Sequence, residues 1–376
     1  MFDIVLRDQF ERRSPFFCHD RLMEIPDILP PEKKSLASFT VKERKAPAID
    51  WYRTPLPSDA VKALHRRSDS KGAVQTIGYL GILAVTGFSA YYSFSHWSWA
   101  VTAGLVFLHG MVTAFLINGV HELGHGTVFK TKGLNPFFCH VLAFLGWINH
   151  ETFQSSHIRH HRYTLHPPDD LEVVLPVRLM IRHFFLTGFI DPVATLNALK
   201  NTVRIARGKF QGDWELTLYP ADMPDKRKVP VRWARTMLVG HGLIVAVSLA
   251  TGQWIIPVLV TLAPFYGGWL FFLCNNTQHI GLQDNVPDFR LCCRTFTLNP
   301  VTRFLYWQMN YHTEHHMYAA VPCYNLDRLH TLIRHDLPPI PRGLVGVWKE
   351  IAAIQSRQDK DPTYQYAAPL PARPES

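Results

Sequence analysis

Three short runs in this chain bring histidines together at spacings that suit metal binding: His121-Glu-Leu-Gly-His125, His157-Ile-Arg-His160-His161 and His312-Thr-Glu-His315-His316. On a helix, residues three and four apart share a face, so each run can aim two or three imidazole nitrogens at one point. Eight imidazoles exceed what a tetrahedral zinc uses, since a catalytic zinc takes about three protein ligands and keeps one position open. Two metal ions fit the count better. A ninth candidate, His279, closes the run Cys274-Asn-Asn-Thr-Gln-His279. Asn275, four residues earlier on the same helical face, could hold a metal-bound water. Imidazole suits iron, copper, zinc and nickel alike, so ligand type leaves the metal open.

Carboxylates near these runs can orient a ligand by accepting its second ring proton, and Glu122, Glu151, Asp169, Asp170 and Glu314 are placed to try. The sequence does not say which of them do, and plain solvation is the commoner fate of such a group. His109, His140, His150, His166, His183 and His241 have no comparable spacing. His241 falls within an apolar block, where a structural role is its expected use.

The elements that must carry the histidines are set by composition. Of 376 residues, 47% are hydrophobic and only 18% are charged, too apolar for disorder and too poorly charged for an ordinary soluble domain. The apolar residues gather in long blocks. Thr76 to Phe94 and Trp97 to Gly119 read as two membrane spans around the uncharged Ser95 and His96; Thr236 to Ala250 and Gln253 to Leu273 read as a second pair around Thr251 and Gly252. The first arm of that second hairpin is short unless it extends upstream. Trp97, Trp99, Trp254 and Trp269 at the block ends suit an aromatic belt.

The segment 120–235 holds fifteen Lys and Arg residues and the two opposite turns hold none. The positive-inside rule therefore puts both termini and all three histidine runs in the cytosol. Leu134 to Ile148 and Val177 to Ile190 are too short or interrupted to span and read as interfacial or re-entrant helices, and Asn325 to Ile333 as an amphipathic helix. The expected fold is all-α: an integral membrane bundle of four spans in two hairpins under a cytosolic helical cap. Its divisions are a cytosolic region 1–75, a membrane domain with its cap over 76–350, and a tail 351–376 that is disordered at its end. The formal charge of +9 flanks apolar blocks instead of filling one arm, which argues for membrane orientation and against nucleic acid. Six cysteines without a CxxC pair exclude a zinc ribbon or a disulfide scaffold.

Three runs of the form HxxxH, HxxHH and HxxHH, in order and on one side of two hairpins, resemble the membrane fatty acid desaturase and hydroxylase superfamily over residues 76–335. That resemblance implies two iron ions (Fe2+/Fe3+) held by His121, His125, His157, His160, His161, His312, His315 and His316, with His279 as the extra ligand and O2 activated at the pair. It also implies an oxidoreductase that needs electrons. The chain carries no flavin or dinucleotide fingerprint, no rubredoxin-like CxxC and no HPGG motif, so a separate ferredoxin, rubredoxin or cytochrome b5 must supply them.

The third run followed by Met317-Tyr-Ala-Ala-Val-Pro322 resembles acyl-lipid desaturases, which implies that a double bond is introduced into an acyl chain or an acyl-like lipid or metabolite. Gly126 stands where the alkane-hydroxylase form has lysine, and His312 stands where front-end desaturases have glutamine. Hydroxylation at the same centre is the alternative. A histidine-rich metal transporter is the remote one, because a transporter needs ionisable groups along the bilayer interior and here they gather on one side.

Overall fold

The computed structural model describes residues 48–179 and 181–372. Most of the N-terminal region expected at 1–75, including Cys18, lies outside the described residues, as does the end of the C-terminal tail. Among the described residues the fold is all-helical, with isolated bridges in place of strands.

A short helix α1 (Ser58–Leu64) leads into α2 (Asp69–His96), which starts where the Ser68 hydroxyl accepts from the Lys71 amide. After a turn at Trp97 and Ser98 come α3 (Trp99–Thr113) and α4 (Leu116–Gly124), nearly one continuous rod that ends on the first histidine run. Then follow α5 (Leu134–Leu145), α6 (His150–Tyr163), α7 (Ile181–Gly188), α8 (Pro192–Ala206), α9 (Gly212–Leu218) and α10 (Pro224–Ala250). The shorter pieces α11 (Ile255–Val260), α12 (Trp269–Asn275), α13 (Phe289–Cys292), α14 (Pro300–Leu305), α15 (His312–Met317) and α16 (Leu326–Ile333) precede a final helix α17 (Gly343–Gln358).

Among the described residues, three helices are long and apolar enough to cross a membrane: Asp69–His96, Trp99–Gly124 and Pro224–Ala250. Their outer faces carry bare apolar side chains, with Val85 66% and Phe88 67% exposed, as a lipid-facing surface requires. Two sequence expectations change here. The arm read from Thr236 begins at Pro224, because the charged stretch Asp225 to Arg235, about three turns long, is helical too. The arm read as one helix over Gln253 to Leu273 is broken: Pro257 and Pro264 lack amide donors, and Gly267 sits at φ +72° between α11 and α12.

Two buried histidines knit these pieces together. His109 Nδ1 lies 3.0 Å from Thr86 Oγ1 of α2, and its Nε2 lies 2.8 Å from the Leu259 carbonyl of α11. His241 is sandwiched between Phe144 and Trp147, with its nitrogens on Thr261 Oγ1 and the Phe144 carbonyl. Both are structural, as expected for His241.

The broken arm is admitted close to α3 because Gly110 has no side chain: a Cβ there would lie 2.2 Å from the Tyr266 ring and 2.4 Å from the Tyr266 carbonyl. Gly110→Ala should therefore lower the unfolding midpoint in detergent, by an overpacking cost of about 1–3 kcal/mol. Gly104→Ala, with nothing within 4 Å of its added carbon, should hold the midpoint or raise it, because alanine favours the helix. Equal midpoints for the two variants would contradict the close approach.

Candidate metal centre

Three helices and one turn deliver the histidines. Helix α4 carries His121 and is capped by His125; α6 carries His157, His160 and His161; α15 carries His312, His315 and His316; and His279 stands on the turn after α12. Helix α6 starts where the Asn149 side chain accepts from the Thr152 amide, and Asn149 Nδ2 also donates to the Pro230 carbonyl, which fixes α6 to α10.

All nine histidines come together, in two groups. His121, His125, His157, His161 and His315 form one; His160, His279, His312 and His316 form the other, with the nitrogens of each group within 4.8 Å of one another. The groups touch, since the His161 and His316 rings stack at 4.3 Å. Each HxxHH run is thus shared: on α6 and on α15 the neighbouring histidines point to different groups. Asn275 ends α12, half-buried, one turn before His279.

The Nδ1 side of four rings is held by a protein acceptor, whereas Nδ1 of His161, His312 and His315 is buried without a hydrogen-bond partner. His121 Nδ1 meets Glu122 Oε1 at 2.9 Å, His157 Nδ1 meets Glu172 Oε1 at 2.9 Å, and His160 Nδ1 meets Asp170 Oδ2 at 2.8 Å. His279 Nδ1 donates to the Cys292 carbonyl at 2.7 Å. These acceptors put the ring proton on Nδ1 and leave Nε2 as a bare lone pair. Yet Nε2 faces Nε2 at 2.9 Å for His157 and His161, 3.1 Å for His161 and His315, 2.9 Å for His279 and His312, and 3.1 Å for His312 and His316. His121 Nε2 and His125 Nε2 are buried without any partner. An Nε2 that faces another Nε2 either lends it a proton or shares a cation with it, and two buried nests of five and four imidazole nitrogens, each within 4.8 Å, are a donor set that fits two metal ions.

Electrostatics agree with neutral rings. Burial, reinforced by neighbouring imidazoles, holds His157, His161, His312 and His316 well below the ordinary histidine range, and brings His279 down to about 3. His160 alone is shifted up: burial works against its charge, but Asp170 beside it outweighs that. Burial also opposes the charge on Asp170, yet His160 and the amides of Leu165 and Glu172 keep its carboxyl below the usual range. At Glu172 burial outweighs the help of His160 and the Ser156 hydroxyl and pushes the carboxyl up to about 7.

Of the carboxylates named from sequence, Glu122 and Asp170 reach a histidine of the two groups. The others do not: Glu151 lies 3.7 Å from His150, Asp169 pairs with Arg159 at 3.6 Å, and Glu314 turns to His330 at 2.5 Å and to the Thr295 hydroxyl. Glu172 was missed, because it lies fifteen residues beyond His157 on a loop and nothing local marks it. Ser156 Oγ donates to Glu172 Oε2 at 2.6 Å and accepts from Trp214 Nε1 at 3.0 Å, which holds that carboxylate in place.

Comparison with known proteins agrees in kind. The profile of the fatty acid desaturase family matches residues 95–346, a stretch that contains all nine histidines. An alkane 1-monooxygenase from Acinetobacter baylyi is 25% identical over 252 residues, covering 63% of this chain and 53% of that protein. The chain thus spans about half the length of the curated relative it matches.

Proposed function

The chain belongs to the fatty acid desaturase family, and from that premise we propose that it is an O2-dependent, non-heme di-iron membrane oxidoreductase that introduces a double bond into an acyl chain or an acyl-like lipid or metabolite. The observation that carries this reading is the pair of histidine groups whose ring nitrogens converge. His121, His125, His157, His161 and His315 hold one iron; His160, His279, His312 and His316 hold the other, with Asn275 contacting it through water. When bound, the two irons supply the reduction of O2 and the cleavage of an unactivated C–H bond. For desaturation the balance is CH–CH plus O2, two electrons and two protons, giving C=C and two waters.

The chain's own residues do the rest. Glu122, Glu172 and Asp170 keep the ring protons of His121, His157 and His160 on Nδ1 and so aim Nε2 inward. Glu122, Asp170 and His315 are 0% exposed, so the contacts that orient the rings are made away from bulk water. The two electrons come from an external ferredoxin, rubredoxin or cytochrome b5. We place the termini and the histidines in the cytosol on the strength of the fifteen basic residues between 120 and 235. A fourth crossing then runs through the broken arm, and the membrane domain with its cap spans 76–350 between the regions 1–75 and 351–376.

Hydroxylation is the second reading, favoured by the similarity to an alkane 1-monooxygenase. The two share the first hydrogen abstraction and differ in whether a second hydrogen or an oxygen follows. Mass spectrometry of lipids and fed substrates decides between them, in a membrane host supplied with ferredoxin or cytochrome b5 and their reductases. The expected product is lighter by two hydrogens and absent from a His315→Ala control. A product heavier by one oxygen would assign hydroxylation instead.

A further inference from the structure

His279 is the one histidine of the two groups that none of the three runs supplies, and it stands on a turn, not a helix. A ligand on a turn needs its backbone held by something else. Here that is Arg294, 4% exposed, whose Nη1 donates to the Thr277 carbonyl at 2.6 Å and to the Ile280 carbonyl at 3.1 Å. Those carbonyls belong to the residues two before and one after His279. The Arg294 amide adds a bond to the Gln278 carbonyl at 2.9 Å. On its other side the guanidinium reaches α17, where Nε donates to Glu350 Oε1 at 2.9 Å.

The same helix presses on the turn directly. Gly281 has φ +77°, and a Cβ there would lie 2.5 Å from Ile354 Cγ2 of α17. Beyond α17 the tail returns, and the Tyr366 amide donates to the Gly281 carbonyl at 2.9 Å. A guanidinium is suited to this post: its planar fork serves two carbonyls and a carboxylate at once, which a lysine's single ammonium cannot do in the same geometry. No residue of this arrangement lies in the five-histidine group.

We propose that Arg294 and Glu350 are positioning residues for the four-histidine group: together they staple the turn of His279 to the C-terminal helix and so set the iron affinity of that group without setting that of its neighbour. The proposal rests on the di-iron reading above. The C-terminal helix, far in sequence from every histidine run, thereby becomes part of the metal site.

The test uses the full chain purified in detergent, stripped with a chelator and reloaded anaerobically with ferrous iron, with iron per chain, iron affinity and the melting midpoint of the stripped protein as readouts. The wild-type chain should take up two irons. Glu350→Ala and Arg294→Gln should keep one at wild-type affinity and bind the second about 10- to 100-fold more weakly, the cost typical of losing a group that orients a ligand. Arg294→Lys should fall between, and His279→Ala marks the full effect. If the stripped Arg294→Gln protein does not fold, Glu350→Ala decides. Two irons at wild-type affinity in Glu350→Ala would overturn the staple, even with a lowered melting midpoint, because that is what a purely structural bond would give. Equal weakening of both irons would overturn it too. A wild-type chain that takes up fewer than two irons would remove the premise, and the staple with it.

Discussion

His312→Ala should abolish turnover, by about a thousandfold or more, and leave the chain inserted in the membrane with fewer than two irons. The size follows from the position of the ring. His312 Nε2 lies 2.9 Å from His279 Nε2 and 3.1 Å from His316 Nε2, at the middle of a group with four members. Its loss leaves three nitrogens and an opening beside them, so the remaining ligands no longer enclose one ion. Because chemistry of this kind draws its whole acceleration from the metals, a half-loaded centre has nothing to fall back on. Insertion should survive, since α15 is only six residues long and lies outside the three candidate spans. Iron content by elemental analysis, membrane fractionation and product yield check the three parts separately. A His312→Ala chain that turns over normally would remove the di-iron reading.

The histidine runs were legible because their geometry is local. Spacing of three and four on a helix fixes which rings can converge, whatever the tertiary fold does. The sharing of each HxxHH run between two groups was not legible, since it depends on how α6 and α15 face each other. Orienting groups were harder still. Glu122 adjoins His121 and could be guessed, whereas Glu172 reaches His157 across a loop and Arg294 meets Glu350 across fifty-six residues. For the membrane elements, apolar runs located the spans but not their limits. The helix from Pro224 hides its first turns among Lys226, Arg227 and Lys228, where hydropathy sees only charge. Over Gln253 to Leu273 the run is apolar throughout, so hydropathy reads one helix while Pro257, Pro264 and Gly267 impose a break. Greater weight on those three residues would have found it.

Glu122→Ala should weaken iron binding at the five-histidine group about 10- to 100-fold, with Glu122→Gln losing less. This carboxylate joins two runs that are far apart in sequence: its Oε1 lies 2.9 Å from His121 Nδ1 and 3.5 Å from His315 Nδ1. The shorter contact is a hydrogen bond and the longer one an electrostatic approach, and both act to keep the ring proton on the side away from the metal. Glutamine preserves the shape and one acceptor oxygen, so His121 keeps its bond, but the negative charge that makes both imidazoles better ligands is gone. Alanine removes both effects and leaves a cavity in a site with 0% exposure. The four-histidine group takes its orientation from Asp170 and the Cys292 carbonyl instead, so its affinity should stay the same in either variant. Iron titration of the stripped protein therefore has a definite pattern to meet: the site weakened by Glu122→Ala should be the one that Arg294→Gln spares. Weakening of the same iron by both substitutions would mean that the two groups do not bind independently, and that the carboxylate supports the whole cluster and not one half of it.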